Sequence, residues 1–315
     1  MTLNMQERRL WLQRRLDKAR ANARDLSAAV EFYGALMAAL IDEPPAIELP
    51  DLDPSALEAK LRAGQPILYG EALGFDADVI RALLIKLCAV TEQFVLRPAQ
   101  DATKPPSGTA PKRFPWSRKP DDQSAARALA AAQIRQALEN GTLDFDALLE
   151  QLVLGHDADL VALATRAQLD ANLLITLARF AMRPTLMAYA DAFADAVCEY
   201  SDQWMRGLCP VCGGAPALGE YRDVDQSRHL RCAACGASWL FRRLECPHCG
   251  TTEFRALSYI KLTDDPTHQA DTCDHCKRYV KSVAASEPLS RDWLPLEDLL
   301  TLPLDAAAQA GGYTR

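Results

Sequence analysis

Apolar residues recur at helical spacing through the first two-thirds of the chain. In 26–41 they fall at Val30, Tyr33, Leu36, Met37 and Leu40. In 76–96 they fall at Ile80, Leu83, Leu84, Leu87 and Val90, so each segment lays one apolar stripe along a helix. The stretch 170–204 does the same over a greater length. Pro184 lies inside it, removes a backbone donor, and predicts a kink or a split there. Alanine is abundant and β-branched runs are scarce, as a helical domain requires. After Gly207 the pattern changes: short strand-like runs at 228–231, 238–244, 254–261 and 278–283 alternate with glycine and cysteine. The pattern predicts an α+β multidomain chain. A mainly α-helical N-terminal domain covers 1–206, two small ribbons follow at 207–244 and 245–286, and a helical tail closes the chain at 287–315.

One segment interrupts the helical pattern. Pro98, Pro105, Pro106, Pro111, Pro115 and Pro120 crowd together with Lys104, Lys112, Arg113, Arg118 and Lys119. Such a stretch holds no regular element and reads as a Pro-rich basic loop over 98–122. Helical pattern resumes near Asp122, so the loop is an insertion within one domain. It serves as a solvated connector or as a basic arm for an acidic partner surface.

Cysteine spacing supplies the chemistry. Eight of the ten cysteines form four Cys-x-x-Cys pairs: Cys209/Cys212, Cys232/Cys235, Cys246/Cys249 and Cys273/Cys276. Two intervening residues let both sulfurs grip one ion from a tight turn, and two such turns complete a four-sulfur site. The gap from Cys212 to Cys232 and that from Cys249 to Cys273 each fit a hairpin. The shorter gap from Cys235 to Cys246 fits a connector. Sequential pairing therefore predicts one site from Cys209, Cys212, Cys232 and Cys235, and a second from Cys246, Cys249, Cys273 and Cys276, with interleaved pairing the alternative. Gly213, Gly236 and Gly250 each follow a second cysteine, where a knuckle can need positive φ, and Lys277 takes that place in the fourth. Four thiolates suit zinc and mononuclear iron alike. His229, His248, His268 and His275 lie near the cysteines but are not needed as ligands, and His156 looks like a helix-start residue. Cys88 and Cys198 stand alone in apolar helical stretches and are expected to be buried thiols.

Composition narrows the class. With 49% apolar and 24% charged residues and a net charge of −7, this is ordinary globular material. From 207 to 286, ten Lys/Arg face nine Asp/Glu, which leaves no basic stripe for phosphates and argues against a nucleic-acid-binding zinc ribbon. The opening residues carry charges where a secretory leader needs an apolar stretch, and no 18-residue apolar run occurs. A reducing cytoplasm, metal-bound thiolates and no stable membrane insertion are the consistent expectation. No Ser/His/Asp constellation, P-loop or dinucleotide fingerprint stands out.

The stretches CPVCGGAPALGE, RHLRCAACGASWLFRRLECPHCG and TCDHCKRYVKSV, with the closing WLPLEDLLTLPLDAAAQAGGY, resemble the formate dehydrogenase accessory protein family, FdhE. The likeness runs from about 209 to 313. It implies two tandem rubredoxin-like or zinc-ribbon-like four-cysteine modules and carries all eight cysteines over as metal ligands. It implies two metal ions, iron favoured and zinc compatible. It further implies a cytoplasmic chaperone, not an enzyme, that binds the precursor of the catalytic subunit of respiratory formate dehydrogenase before export. An iron redox protein acting during maturation is the alternative. Arg242, Arg243, Lys277, Arg278, Tyr279 and Lys281 sit around the knuckles and are expected as partner contacts.

Overall fold

A computed structural model describes residues 5–22, 26–41, 47–71, 73–94, 120–155, 157–263 and 265–315. The segment 95–119, which holds most of the Pro-rich loop, and His156 lie outside the described residues. The chain forms two compact units. One is built from Met1–Met37, Ile41–Asp76 and Arg183–Arg315, the other from Ala38–Leu40 and Ala77–Met182. The architecture is α+β: mainly helices first, then a sheet region that carries both cysteine groups.

The first unit opens with helices α1 (Met5–Asn22) and α2 (Ser27–Leu40), then the short strand β1 (Ile47–Glu48), helix α3 (Pro54–Ala63) and strand β2 (Gly74–Phe75). Helix α3 starts where Asp53 accepts the Ala56 N–H at 2.8 Å and Pro54 fills the first turn. It stops at Gly64, whose left-handed φ of 71° turns the chain away. Strands β1 and β2 pair with each other, and the Tyr189 hydroxyl donates to the Glu48 and Gly74 carbonyls at 3.1 Å.

The second unit holds α4 (Ala77–Phe94), α5 (Pro120–Glu139), α6 (Phe145–Leu154), α7 (Asp157–Arg166) and the first half of α8 (Ala171–Ala192). The apolar stripe of α4 is buried at Ile80, Leu83, Leu84 and Leu87, and α4 packs on α5, where Ala131 and Ile134 are buried. Each such side chain stabilises by roughly 1.5–3 kcal/mol. Arg135 of α5 ties back to Glu92 of α4 at 2.7 Å. Cys88 is fully buried, and burial, with the Glu92 charge, pushes its thiol up to about 12. Among the described residues no single helix is long and apolar enough to cross a membrane. The bent pair α7 and α8 reaches that composition only jointly, with Leu160, Leu163, Leu174 and Leu177 buried inside protein.

Two expectations are amended here: of the kink or split expected at Pro184 the split does not occur, and one of the two lone thiols is not buried. Helix α8 runs through Pro184 without splitting. Thr185 and Tyr189, just past the proline, are fully buried, and their packing outweighs the one missing backbone bond. The break comes instead at Phe193, before α9 (Ala194–Glu199). Cys198 is exposed, because α9 buries Val197 and turns its neighbour outward.

The remainder of the first unit is one six-stranded sheet. Its strands are β3 (Pro216–Arg222), β4 (Ser227–Cys232), β5 (Ser238–Leu240), β6 (Leu257–Leu262), β7 (Asp265–Cys273) and β8 (Arg278–Ala285), in the spatial order β5-β4-β3-β8-β7-β6. All pairs are antiparallel except β3 with β8, which run parallel. Each half therefore repeats one unit, knuckle–strand–strand–knuckle–strand, and the parallel seam joins the two ribbons into a continuous sheet. One sheet face is covered by α10 (Leu294–Leu300) and α11 (Leu302–Ala310). The last residues return to the sheet: Thr314 bridges to Arg278, and Tyr279 N–H donates to its carbonyl at 3.0 Å. Helix α1 reaches the approach to α10 through Arg8, bonded to Asp292 at 3.0 Å. Arg15 lies over both Trp11 and Trp293.

His268 clasps β7 to α10. Its Nδ1 lies 2.8 Å from Asp265 and its Nε2 2.7 Å from Glu297, which also accepts the Trp293 indole N–H at 2.7 Å. Burial works against the imidazolium, but the bonds to Glu297 and Asp265 outweigh it and hold the pKa above 6.5. A raised folded-state value contributes stability that is full below about 6.5 and is lost as pH rises through the elevated value. Wild-type Tm is therefore expected to fall more than that of His268→Gln when the pH is raised from the acid side of 6.5 into the alkaline range. Equal falls, followed by circular dichroism, would remove His268 as the cause.

Candidate metal centre

The hairpins bring the cysteines together in sequence order. In the first group Cys209 Sγ lies 3.6 Å from Cys235 Sγ, and Cys212 Sγ lies 3.4 Å from Cys232 and 3.6 Å from Cys235. In the second, Cys246 to Cys276 and Cys249 to Cys273 are both 3.7 Å. Within each group all four sulfurs lie within 4.8 Å of one another. A tetrahedron of sulfurs about 2.3 Å from a central ion has edges of about 3.8 Å, so both groups fit one metal ion apiece. The separations are too long for disulfides, which need about 2.0 Å.

Backbone bonds shape each knuckle. Gly213 N–H donates to Cys209 O at 2.9 Å, Gly236 to Cys232 at 3.1 Å, Gly250 to Cys246 at 2.9 Å and Lys277 to Cys273 at 2.8 Å. The donor residue has φ of 75°, 68°, 72° and 55° in turn. The fourth knuckle thus places a lysine in the left-handed region that glycine occupies in the other three. Gly214 is required for a different reason. A Cβ there would lie 3.1 Å from Cys232 Sγ and 3.4 Å from Cys212 Sγ. Gly214→Ala is expected to weaken metal retention at the first site by about tenfold or more, the scale of a perturbed ligand environment, with the second site unchanged. Competition with a chelator reads both.

The two groups differ in surroundings. Cys209, Cys232 and Cys235 are fully buried, in a cluster with Leu61, Tyr189, Trp204 and Trp239. The segment after α3 is bonded to the first knuckle, with Ile67 and Leu68 N–H donating to Pro210 and Val211 carbonyls at 2.8 and 2.9 Å. Arg183 is buried beside the second knuckle and donates to the Ala233, Ala234 and Arg291 carbonyls at 2.8, 3.2 and 2.6 Å. In the second group Cys246 and Cys273 are buried, but Cys249 is exposed.

Crowding splits the thiols. Hydrogen bonds from Cys209, Cys212 and Cys235 hold Cys232 well below the usual thiol range. Burial, reinforced by the neighbouring sulfurs, pushes Cys209 up. At the second group burial likewise raises Cys246. Burial also opposes ionisation of Cys249, yet bonds from His275, the Thr251 N–H and two neighbouring thiols draw it down to about 6. A divalent ion in place of the shared protons would let all four sulfurs ionise. Among the described residues no histidine joins either four-sulfur group. His248 lies 3.2 Å from the Tyr279 carbonyl, and His275 sits beside Cys249.

The six expected partner contacts separate into two sets. Arg242, Arg243, Lys277 and Arg278 are exposed. Arg242 pairs with Glu245 at 3.2 Å, Arg243 lies over the Tyr221 ring, Lys277 pairs with Asp274 and Arg278 donates to the Arg315 carbonyl at 3.0 Å. Tyr279 and Lys281 are interior and do not belong on a contact surface. The Tyr279 hydroxyl donates to Asp305 at 2.7 Å, and Lys281 Nζ is held by Asp305 at 2.6 Å and Asp298 at 2.8 Å, beneath α10 and α11. Sequence reading missed Arg183 and Glu220, both buried against the knuckles or their strands. Arg183, one of two arginines a turn apart in an otherwise apolar helical run, carried a signal. Glu220 carried none.

Comparisons place this arrangement among known proteins. Residues 208–243 match the family domain described as FdhE, central domain, and residues 244–315 match FdhE, C-terminal domain. The chain is 34% identical over 119 residues to "Protein FdhE homolog" of Pseudomonas aeruginosa, covering 35% of this chain and 38% of that protein. It is 32% identical over 120 residues to "Protein FdhE" of Escherichia coli O127:H6, covering 37% of each. The matched part thus spans less than two-fifths of the length of these curated relatives. The crystal structure of the FdhE protein from Pseudomonas aeruginosa is similar over 98% of this chain and 93% of that one. Its TM-score of 0.54 at 22% identity establishes a likeness of fold.

Proposed function

We propose that this chain, whose residues 208–243 and 244–315 match the FdhE central and C-terminal domains, is a member of that family and a cytoplasmic accessory chaperone of formate dehydrogenase. It binds the precursor of the catalytic subunit and supports its maturation before export, and it is not itself an enzyme. The observation that carries the reading is the pair of four-sulfur groups fused into one sheet across the β3–β8 seam, within the two matched FdhE domains. In this reading Cys209, Cys212, Cys232 and Cys235 hold one ion, and Cys246, Cys249, Cys273 and Cys276 hold the other, iron favoured over zinc. The ions lock short strands whose own apolar burial is small, and the sheet presents Arg242, Arg243, Lys277 and Arg278 to the partner.

The test is complex formation between the purified metal-loaded chain and the catalytic-subunit precursor produced apart. The two are expected to co-elute on sizing. Changing the four exposed cations to alanine together, with metal content preserved, is expected to weaken the complex about tenfold or more by removing charge complementarity. Absence of any complex with the wild-type chain would overturn the chaperone reading. Undiminished binding by the fourfold variant would overturn the patch alone.

The exposure of Cys249 supports a second reading, in which iron at the second site exchanges electrons during maturation. It requires reversible loss of visible absorption on reduction. A zinc-only protein that fully supports maturation excludes it.

A further inference from the structure

The sheet face opposite α10 and α11 is not fully covered. By register, Tyr221, Ser282, Asp271 and Tyr259 share that face. Together with the connector through Arg243–Pro247 they enclose a cleft of about 350 Å³, which reaches Cys246 and Cys273 at one end. Its size is at the lower end of small-ligand sites.

The charges within it are unevenly satisfied. Asp271 already accepts from the Tyr221 hydroxyl at 3.0 Å, Arg228 at 3.1 Å, the Ser282 hydroxyl at 2.6 Å and Gln269 at 2.5 Å. Glu245 is paired with Arg242. The cations are not matched in this way. Arg228 is only 3% exposed. Two of its nitrogens reach Asp271 and the Glu245 carbonyl, while its Nε is buried with no acceptor among the described residues. Arg243 lies 5.6 Å over the Tyr221 ring and Lys261 5.7 Å over the Tyr259 ring, and neither meets a carboxylate among the described residues. A buried guanidinium N–H left without an acceptor is costly. Two further cations braced on aromatic faces flank the same space.

We propose that this cleft is a binding site for a carboxylate carried on an apolar or aromatic body. Arg243 supplies N–H donors, Lys261 and the buried Arg228 supply charge, and Tyr259, Leu244 and Leu257 contact the body. A carboxylate fits better than a phosphate. Counting Arg242 with its partner Glu245, four cations against two carboxylates leave two positive charges. The adjoining four thiolates with a divalent ion would carry a net negative charge, so a monoanion meets less repulsion there than a dianion. The carboxylate can come from an acidic side chain of a polypeptide or from a free organic acid, and the chemistry is the same.

Two probe pairs test this on the full metal-loaded chain. One is acetyl-Leu-Glu-Phe-amide against its Gln counterpart, read by calorimetry. The other is 4-fluorobenzoate against 4-fluorobenzamide, read by fluorine NMR line width. At least one carboxylate probe is expected to bind about tenfold or more tighter than its neutral partner, to weaken as salt is raised, and to lose that advantage in Arg243→Ala/Lys261→Ala. Both changed residues are exposed, so folding and metal content are expected to persist. Binding of the peptide alone assigns a polypeptide source, and binding of both assigns free acids as well. Equal affinity for charged and neutral probes, no binding by either carboxylate, or an advantage that survives the double substitution would each overturn the site. These outcomes are independent of whether the precursor co-elutes with the chain.

Discussion

Cys232→Ser is expected to release one metal ion and to unfold the core that surrounds it, whereas Cys249→Ser is expected to release an ion and leave most of the fold intact. Cys232 is fully buried among Trp239, Trp204 and Tyr189, with its sulfur 3.4 Å from Cys212. A structural four-thiolate site contributes roughly 10–16 kcal/mol to folding, against a typical total stability of about 5–15 kcal/mol. Loss of the ion there also leaves three polar sulfurs in a dry cluster with nothing to hold them apart. Cys249 is exposed, so water can replace the lost ligand, and its hairpin retains the seam with β3 through β8. Metal content by native mass spectrometry and Tm by circular dichroism read both effects. Two ions retained in either variant would remove that cysteine from the ligand set. Equal loss of Tm in both would refute the contrast between a buried and an open site.

Glu220→Leu is expected to destabilise the first unit by about 3–5 kcal/mol, the cost of leaving buried charges unpaired. Glu220 is fully buried on β3. Its carboxylate takes a guanidinium N–H of Arg231, pairs with Arg222 through Nε at 2.7 Å, and accepts the Leu289 N–H at 3.1 Å. Leucine keeps much of the volume but strands Arg231, which is itself buried. Glu220→Gln keeps an acceptor and is expected to cost less. Urea midpoints at constant metal loading give the comparison, and a wild-type midpoint for Glu220→Leu would show that the cluster contributes nothing net.

The cysteine pairing was open to reading because covalent spacing limits it. A knuckle needs two intervening residues, and a hairpin needs enough chain to turn back. Strands β4 and β8 were legible for a similar reason, each containing a compact apolar or alternating run. Strands β3 and β7 were not. Strand β7, DPTHQADTC, is mostly polar. Its partners are polar groups on other elements: His268 meets Glu297, and Asp271 collects Tyr221, Arg228 and Ser282. Lys281 illustrates the same limit. On a strand between Val280 and Ser282 it reads as a surface cation, but Asp298 and Asp305 convert it into a core residue. Buried polar networks are assembled by tertiary structure, and no local pattern announces them. Helical spacing likewise could not show that α1 and α3 cluster with the sheet while α4 to α7 cluster apart. The stripes of α3 and α4 look alike along the chain, and only the facing surface distinguishes them.

Capture of the tagged chain from its native cells respiring on formate, with nuclease added, tests the central claim most directly. The account predicts recovery of a formate dehydrogenase catalytic subunit that still carries its export signal, bound to a chain holding two metal ions. Recovery of transcription or DNA-processing proteins, with no formate dehydrogenase subunit among them, would contradict it.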